Sequence, residues 1–175
     1  MNFTKHYLQN IIREFQRYKS LGDRCFEQLN EPDIHWRLSD ENNSIAIIVK
    51  HMVGNMLSRW TNFLTDDGEK PWRQRDNEFE APYSAIAEMI KAWESGWECV
   101  FNALNTIDDT NFGEKVLIRD EKHTIPEALN RQLAHYAYHT GQIVWISKNV
   151  KGTEWKSLTI PKGKSEDYNR SMFGH

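Results

Sequence analysis

Read as a string of apolar and polar positions, the chain carries the 3.6-residue period of amphipathic helices over most of its length. Between 3 and 29, Leu8, Ile11, Ile12, Phe15, Tyr18, Cys25, Phe26 and Leu29 return at steps of three and four with one gap, which is one stripe of a long helix. Glu31-Pro32-Asp33 ends it. Ser44 stands as an N-cap before a second helix over 45–64, whose inward face holds Ile48, His51, Met52, Asn55, Met56, Arg59 and Phe63. The segment 69–81, aperiodic, with Pro71 within it and Pro82 directly after it, reads as a loop in which Trp72 is the ring that packs. A third helix is predicted over 82–104 with Pro82 in its first turn and Tyr83, Ile86, Ile90, Trp93, Trp97, Val100, Phe101 and Leu104 on its stripe. The runs 116–119 and 122–125 flank Asp120-Glu121 as a short hairpin, although that turn has neither Gly nor Asn. Thr124-x-x-Glu127 is a capping box with Pro126 in the first turn, opening a fourth helix through Leu129, Leu133, Tyr136, Ile143 and Ile146 to about 149. Beyond Gly152, Trp155, Leu158, Ile160, Tyr168 and Phe173 among polar neighbours predict a tail that partly packs and partly frays.

Four long helices without a sustained strand predict an all-α fold, a four-helix bundle over 1–150 with a hairpin near 116–125 and a tail, 151–175, packing on it. A chain of 175 residues has room for one core rather than two. Seven Trp, eight Phe and six Tyr supply much of that core, and Trp60, Trp93, Trp97 and Trp145, at helical spacings, read as core or as dimer surface. The balance of 22 basic and 25 acidic residues, with no block of like charge, argues against a nucleic-acid partner. The longest apolar run, 45–49, is too short to cross a bilayer, and 1–5 does not open a signal peptide, so the expectation is a cytoplasmic protein without a membrane partner. Cys25 and Cys99 form neither a redox pair nor a thiolate zinc motif and are expected to be reduced thiols on apolar helix faces.

Candidate chemistry lies in the histidines. His135 and His139 stand four apart on the fourth helix, which brings their Cβ atoms to roughly 5–6 Å on one face, so both rings can reach one ion. The spacing alone equally suits two unrelated helix histidines, and Tyr136 occupies the place where a zinc protease has its glutamate. His51, on the inner side of the second helix, is either a third ligand or a core histidine bonded to a carbonyl. Three inward imidazoles from two helices match a catalytic metal site, which uses three protein ligands and keeps a position open. His6, His35, His123 and His175 have no companion at ligand spacing and read as ordinary polar residues. Asn55, Arg131, Gln132 and Gln142 lie within one helical turn of these histidines and are candidates to orient an imidazole or hold an anionic substrate, the alternative for each being a hydrogen bond on the helix face. Arg59, two turns from His51, is a weaker candidate for a carboxylate clamp. No residue is singled out as catalytic.

The stretch 129–143, with His135-x-x-x-His139-x-x-Gln142, together with the long helix carrying His51 and the 158–165 ending, resembles the DinB/YfiT-like superfamily of metal-dependent proteins, in a bacterial branch of unassigned function. The resemblance implies an up-down-down-up four-helix bundle, a homodimer, and a divalent metal, zinc or nickel, held by His51, His135 and His139. It also implies a low-molecular-weight thiol as cosubstrate and either a thiol-transferase-like or a hydrolase-like reaction on a small electrophile. The alternative is a non-catalytic metal-binding or stress-response module. In the enzyme reading, the charge of the ion among neutral imidazoles would acidify a thiol or water at the open position.

Overall fold

Each long helix starts where a side chain satisfies its free N–H groups. The computed structural model describes residues 2–80 and 82–174; the loop reading of Ala81 and the polar reading of His175 lie outside the described residues, as does Met1. Helix α1 (Phe3–Phe26) is capped by Asn2, which accepts from Lys5 N at 2.9 Å, and α2 (Ile45–Trp60) by Ser44. A short helix α3 (Arg75–Glu80) and α4 (Ile86–Leu104) follow, then the strands β1 (Lys115–Ile118) and β2 (Glu121–Thr124), α5 (Ile125–Lys151) and α6 (Ser165–Phe173). The capping box of Thr124 and Glu127 opens α5, and Gly152, at φ 52°, ends it. The described residues are thus mostly helical, with six helices and one two-stranded antiparallel sheet. No helix among them is long and apolar enough to cross a membrane.

Several boundaries differ from the sequence reading. Helix α1 ends at Phe26 rather than 29. Helix α2 stops at Trp60 instead of 64 because Thr61 turns extended and Asn62 enters the left-handed region at φ 51°. Helix α4 begins at Ile86 rather than 82, since the carboxylate of Glu31, in the connection after α1, reaches across and accepts from Ile86 N at 2.8 Å. The turn of the hairpin is Arg119-Asp120, one residue earlier than expected, with φ of 56° and 61°. Neither residue is Gly or Asn, but the Asp67 carboxylate accepts from both backbone N–H groups, at 2.9 and 2.7 Å, and holds them in that conformation. Within the expected loop 69–81, residues 75–80 are helical, and Trp72 is 54% exposed rather than packed.

In the core, α1 lies beside α5 with the same direction, Tyr7 reaching Pro126 and Asn130 near their N-terminal ends. Helix α2 lies beside α4, with Thr61 near Cys99 where both continue toward their C-terminal ends. The centre is aromatic: Phe15, Trp60, Trp97 and Tyr136 are buried with ring centroids 5.4–6.2 Å apart in tilted and edge-on contacts. Trp60 Nε1 donates to the Tyr136 hydroxyl at 2.8 Å, which donates in turn to Asn55 Oδ1 at 3.2 Å. This buried chain fixes the rotation of α5 against α2, and its neighbour on α5 is His135. Cys25 is buried and Cys99 half-buried, both as free thiols. Trp93 joins the core, whereas Trp145 is half-exposed. After α5 the chain returns along α1: Gln28 bonds Lys156 in both directions, Arg24 reaches the Leu158 carbonyl and Leu158 is buried. Helix α6, which had no periodic signal, is exposed throughout.

Candidate metal centre

Helix α2 delivers His51, and one face of α5 delivers His135 and His139, four residues apart. Antiparallel contact between the two helices brings the rings together: His51 Nε2 lies 3.3 Å and His139 Nε2 3.1 Å from His135 Nε2. All three rings are half-buried, and among the described residues this is the one group of His, Cys, Asp or Glu whose ligand atoms gather closely enough for an ion. Two tautomers are set from outside the triad. His51 Nδ1–H donates to Glu78 Oε2 at 2.9 Å, and His139 Nδ1–H donates to Gln142 Oε1 at 3.0 Å. Both Nε2 lone pairs therefore point at His135 Nε2, and a single proton there can serve only one of them. A cation would serve all three. Ligands at about 2.0–2.1 Å in a tetrahedral site are roughly 3.3 Å apart, which matches the two distances to His135 Nε2, and all three ligand atoms lie within 4.8 Å of one another.

Glu78 was missed in the sequence because it lies in the segment read as a loop. It is 5% exposed and held at one end by Arg73, whose Nε and Nη2 donate to its two oxygens at 2.8 and 3.0 Å, and at the other by His51. One sequence signal pointed to it. Gly54 sits in the middle of α2, one turn from His51, where glycine weakens a helix, and a Cβ there would come within 2.8 Å of Glu78 Cδ and nearer still to its Oε1. Phe79, next along α3, lays its ring 5.1 Å from that of His51 and forms a half-exposed wall.

Two of the three imidazoles, His135 and His139, are held toward the neutral form. Burial lowers the pKa of His135 to about 3, with His139, His51, Arg73 and Arg59 adding repulsion of its charged form. His139 is lowered by burial and by His51, against the opposing bond to Gln142. Burial raises the Glu78 carboxyl, but the hydrogen bonds from His51 and Arg73 and the charge of Arg73 outweigh it and leave the group below its ordinary range, hence ionised. Neutral nitrogens backed by a carboxylate and an amide are the usual surroundings of a histidine-bound ion. His135 Nδ1 has no hydrogen-bond partner, so its tautomer is the one that no neighbour sets.

The other expected site residues divide. Gln142 touches a triad imidazole. Asn55 is buried, accepts from Tyr136 and lines the cavity beside His51 and His135. Gln132, buried, and Arg131, exposed, line a cavity of ≈ 240 Å³ that opens beside His51 and His135. Arg59 lines the same cavity, together with Arg73, Arg75 and Arg119, which the sequence reading had not connected to the histidines. A family model described as "Protein of unknown function (DUF1572)" matches residues 2–164. No curated protein and no solved structure matches the chain.

Proposed function

Because the chain belongs to DUF1572, a DinB-like family whose description assigns no function, its activity has to be read from the site, and we propose that it is a metal-dependent enzyme. His51, His135 and His139 hold one divalent ion, zinc or nickel, through their Nε2 atoms. The convergence of those three nitrogens at ligand spacing, with two of the rings anchored from behind by Glu78 and Gln142, carries this reading. When bound, such an ion lowers the pKa of a thiol or water at its open position, the chemistry of a thiol-transferase-like or hydrolase-like reaction on a small electrophile. The chain's own residues supply the rest. Glu78 orients His51 and, as a buried anion, offsets part of the charge gathered there; Arg73 keeps Glu78 in place. Phe79 walls the site against His51.

The same reading takes the four long helices as an up-down-down-up bundle over 1–150, with 151–175 packed against it. The parallel pairs α1/α5 and α2/α4 support this arrangement. It also places the protein in the cytoplasm, and we assign the exposed rings of Tyr138 and Trp145 to a homodimer contact. The experiment is metal analysis of untagged protein beside the His51→Ala and His135→Ala variants, followed by turnover assays with small thiols and electrophiles. One ion per chain, lost in both variants, is expected; absence of stoichiometric metal refutes the centre. Metal without turnover across the panel refutes the enzyme and leaves a binding or stress-response module.

A further inference from the structure

Beside the histidine triad lies a small cavity lined by arginines. We propose that it holds a doubly charged oxyanion group of a small substrate, anchored by Arg59 and Arg131, with the reacting end of the molecule turned toward His51 and His135. The metal reading of the previous section is needed only for what happens at that reacting end.

Five guanidinium groups line the cavity, from Arg59, Arg73, Arg75, Arg119 and Arg131. Three of them already have carboxylates: Arg73 is bound to Glu78, while Arg75 and Arg119 share Glu69. Asp67, the third carboxylate close to this cluster, is saturated by the backbone N–H groups of Glu69, Arg119 and Asp120. Five positive charges against three negative ones leave an excess of two before any ion is counted, and among the described residues Arg59 and Arg131 are the two of these guanidinium groups without an ion pair.

Arg59 shows most clearly that something is missing. Its side chain is 4% exposed, and among the described residues it forms no ion pair and its buried Nε and Nη1 have no hydrogen-bond partner. An isolated buried charge is among the most expensive features a fold can keep, and replacement by an apolar residue of similar size usually stabilises. Burial lowers the Arg59 pKa to about 10, which still leaves it charged at neutral pH. It is also held in place. Gly68 passes over it so closely that a Cβ there would lie 2.7 Å from Arg59 Cδ, so the guanidinium waits in position at little further entropic cost. Arg131, one turn before His135 on α5, is exposed and has no hydrogen-bond or ion-pair partner among the described residues, free to close on a ligand from the solvent side.

Size restricts the class. At ≈ 240 Å³ the cavity is smaller than the usual pocket of roughly 300–1,000 Å³ for a drug-sized molecule, and it suits a phosphate or a short dicarboxylate. Guanidinium forks match both geometrically, and the excess of two charges favours a dianion over a simple carboxylate.

The test is calorimetric titration of inorganic phosphate, malonate and acetate into protein stripped of metal on a chelating resin, at constant ionic strength. Phosphate or malonate is expected to bind and acetate to bind at least tenfold more weakly; the tighter of the two dianions identifies the source of the oxyanion. Arg131→Gln, an exposed change that does not threaten folding, should weaken the dianion roughly tenfold, as loss of one charge-assisted contact does. Arg59→Met should abolish its binding while leaving thermal stability equal or higher, whereas Lys148→Gln, an exposed cation near the far end of α5, should change nothing. Metal content of Arg131→Gln should equal that of the parent. If stripped protein binds neither dianion, or if Arg59→Met and Arg131→Gln bind both as the parent does, the inference is overturned while the metal centre stands on its own analysis. Dianion binding to a chain that takes up no metal would refute the centre and keep the anion site.

Discussion

Replacing Gly54 by alanine should damage this protein although alanine is the better helix former. Gly54 lies inside α2, where Gly→Ala ordinarily gains about 0.5–1 kcal/mol. Here the new methyl group would lie within 2.8 Å of Glu78 Cδ, too near for any carbon contact, so the carboxylate must withdraw by something on the order of 1 Å. Its bonds to His51 and Arg73, now 2.8–3.0 Å, cannot survive that movement intact. Hydrogen bonds to charged groups contribute about 1.5–3 kcal/mol each, and breaking a buried pair costs about 3–5 kcal/mol, so the helix gain is outweighed and a net loss of about 2 kcal/mol is expected. For a chain of this size that corresponds to a fall in Tm of about 4–8 °C. Affinity for zinc, measured by chelator competition, should fall about 10- to 100-fold with the loss of the carboxylate behind His51. The double variant makes the cause specific: in a Glu78→Ala background Gly54→Ala should turn stabilising, because nothing remains for the methyl group to displace. A single variant that is more stable than the parent and binds zinc unchanged would refute the contact, as would the same effect of Gly54→Ala with and without Glu78.

Three further outcomes follow from the geometry. Tyr136→Phe leaves the Trp60 indole without its acceptor and Asn55 without its donor inside the core, and should cost about 1–3 kcal/mol in urea unfolding; a change below about 0.5 kcal/mol would mean that the chain from Trp60 to Asn55 holds nothing. Gln142→Leu removes the acceptor behind His139 and should lower metal affinity about tenfold with little change in Tm, and unchanged affinity would show that the His139 tautomer needs no anchor. Burial raises the Asp67 carboxyl, but three backbone donors outweigh it and hold the native pKa below the ordinary range. Its contribution is therefore complete above the unfolded value of about 3.9 and lost as pH falls through the lower native value, so Asp67→Asn should flatten the acid side of the stability–pH curve, and an unaltered acid limb would deny Asp67 that role.

Much of this was legible in the chain itself, for local reasons. The stripes of α1, α2, α4 and α5, the Ser44 cap and the Thr124–Glu127 box are properties of neighbouring residues, and they predict helices that the structure contains. The same periodicity put His51, His135 and His139 on inward faces, and the structure brings them together. Tertiary contact decided what no local pattern encodes. Ile86 begins α4 because Glu31 meets it across the fold, Arg119 and Asp120 can turn with positive φ because Asp67 binds their N–H groups, and residues 75–80 coil into α3 within a segment that carries no apolar period. Glu78 reaches His51 across 27 positions, through a gap that only the missing side chain of Gly54 leaves open. Spacing along a helix places side chains on a face; it cannot say which charged group from a distant, aperiodic loop arrives behind them, because that depends on how the loop packs once the helices have met. So the sequence specified the three imidazoles, and folding supplied the carboxylate that orients one of them and the arginines beside it.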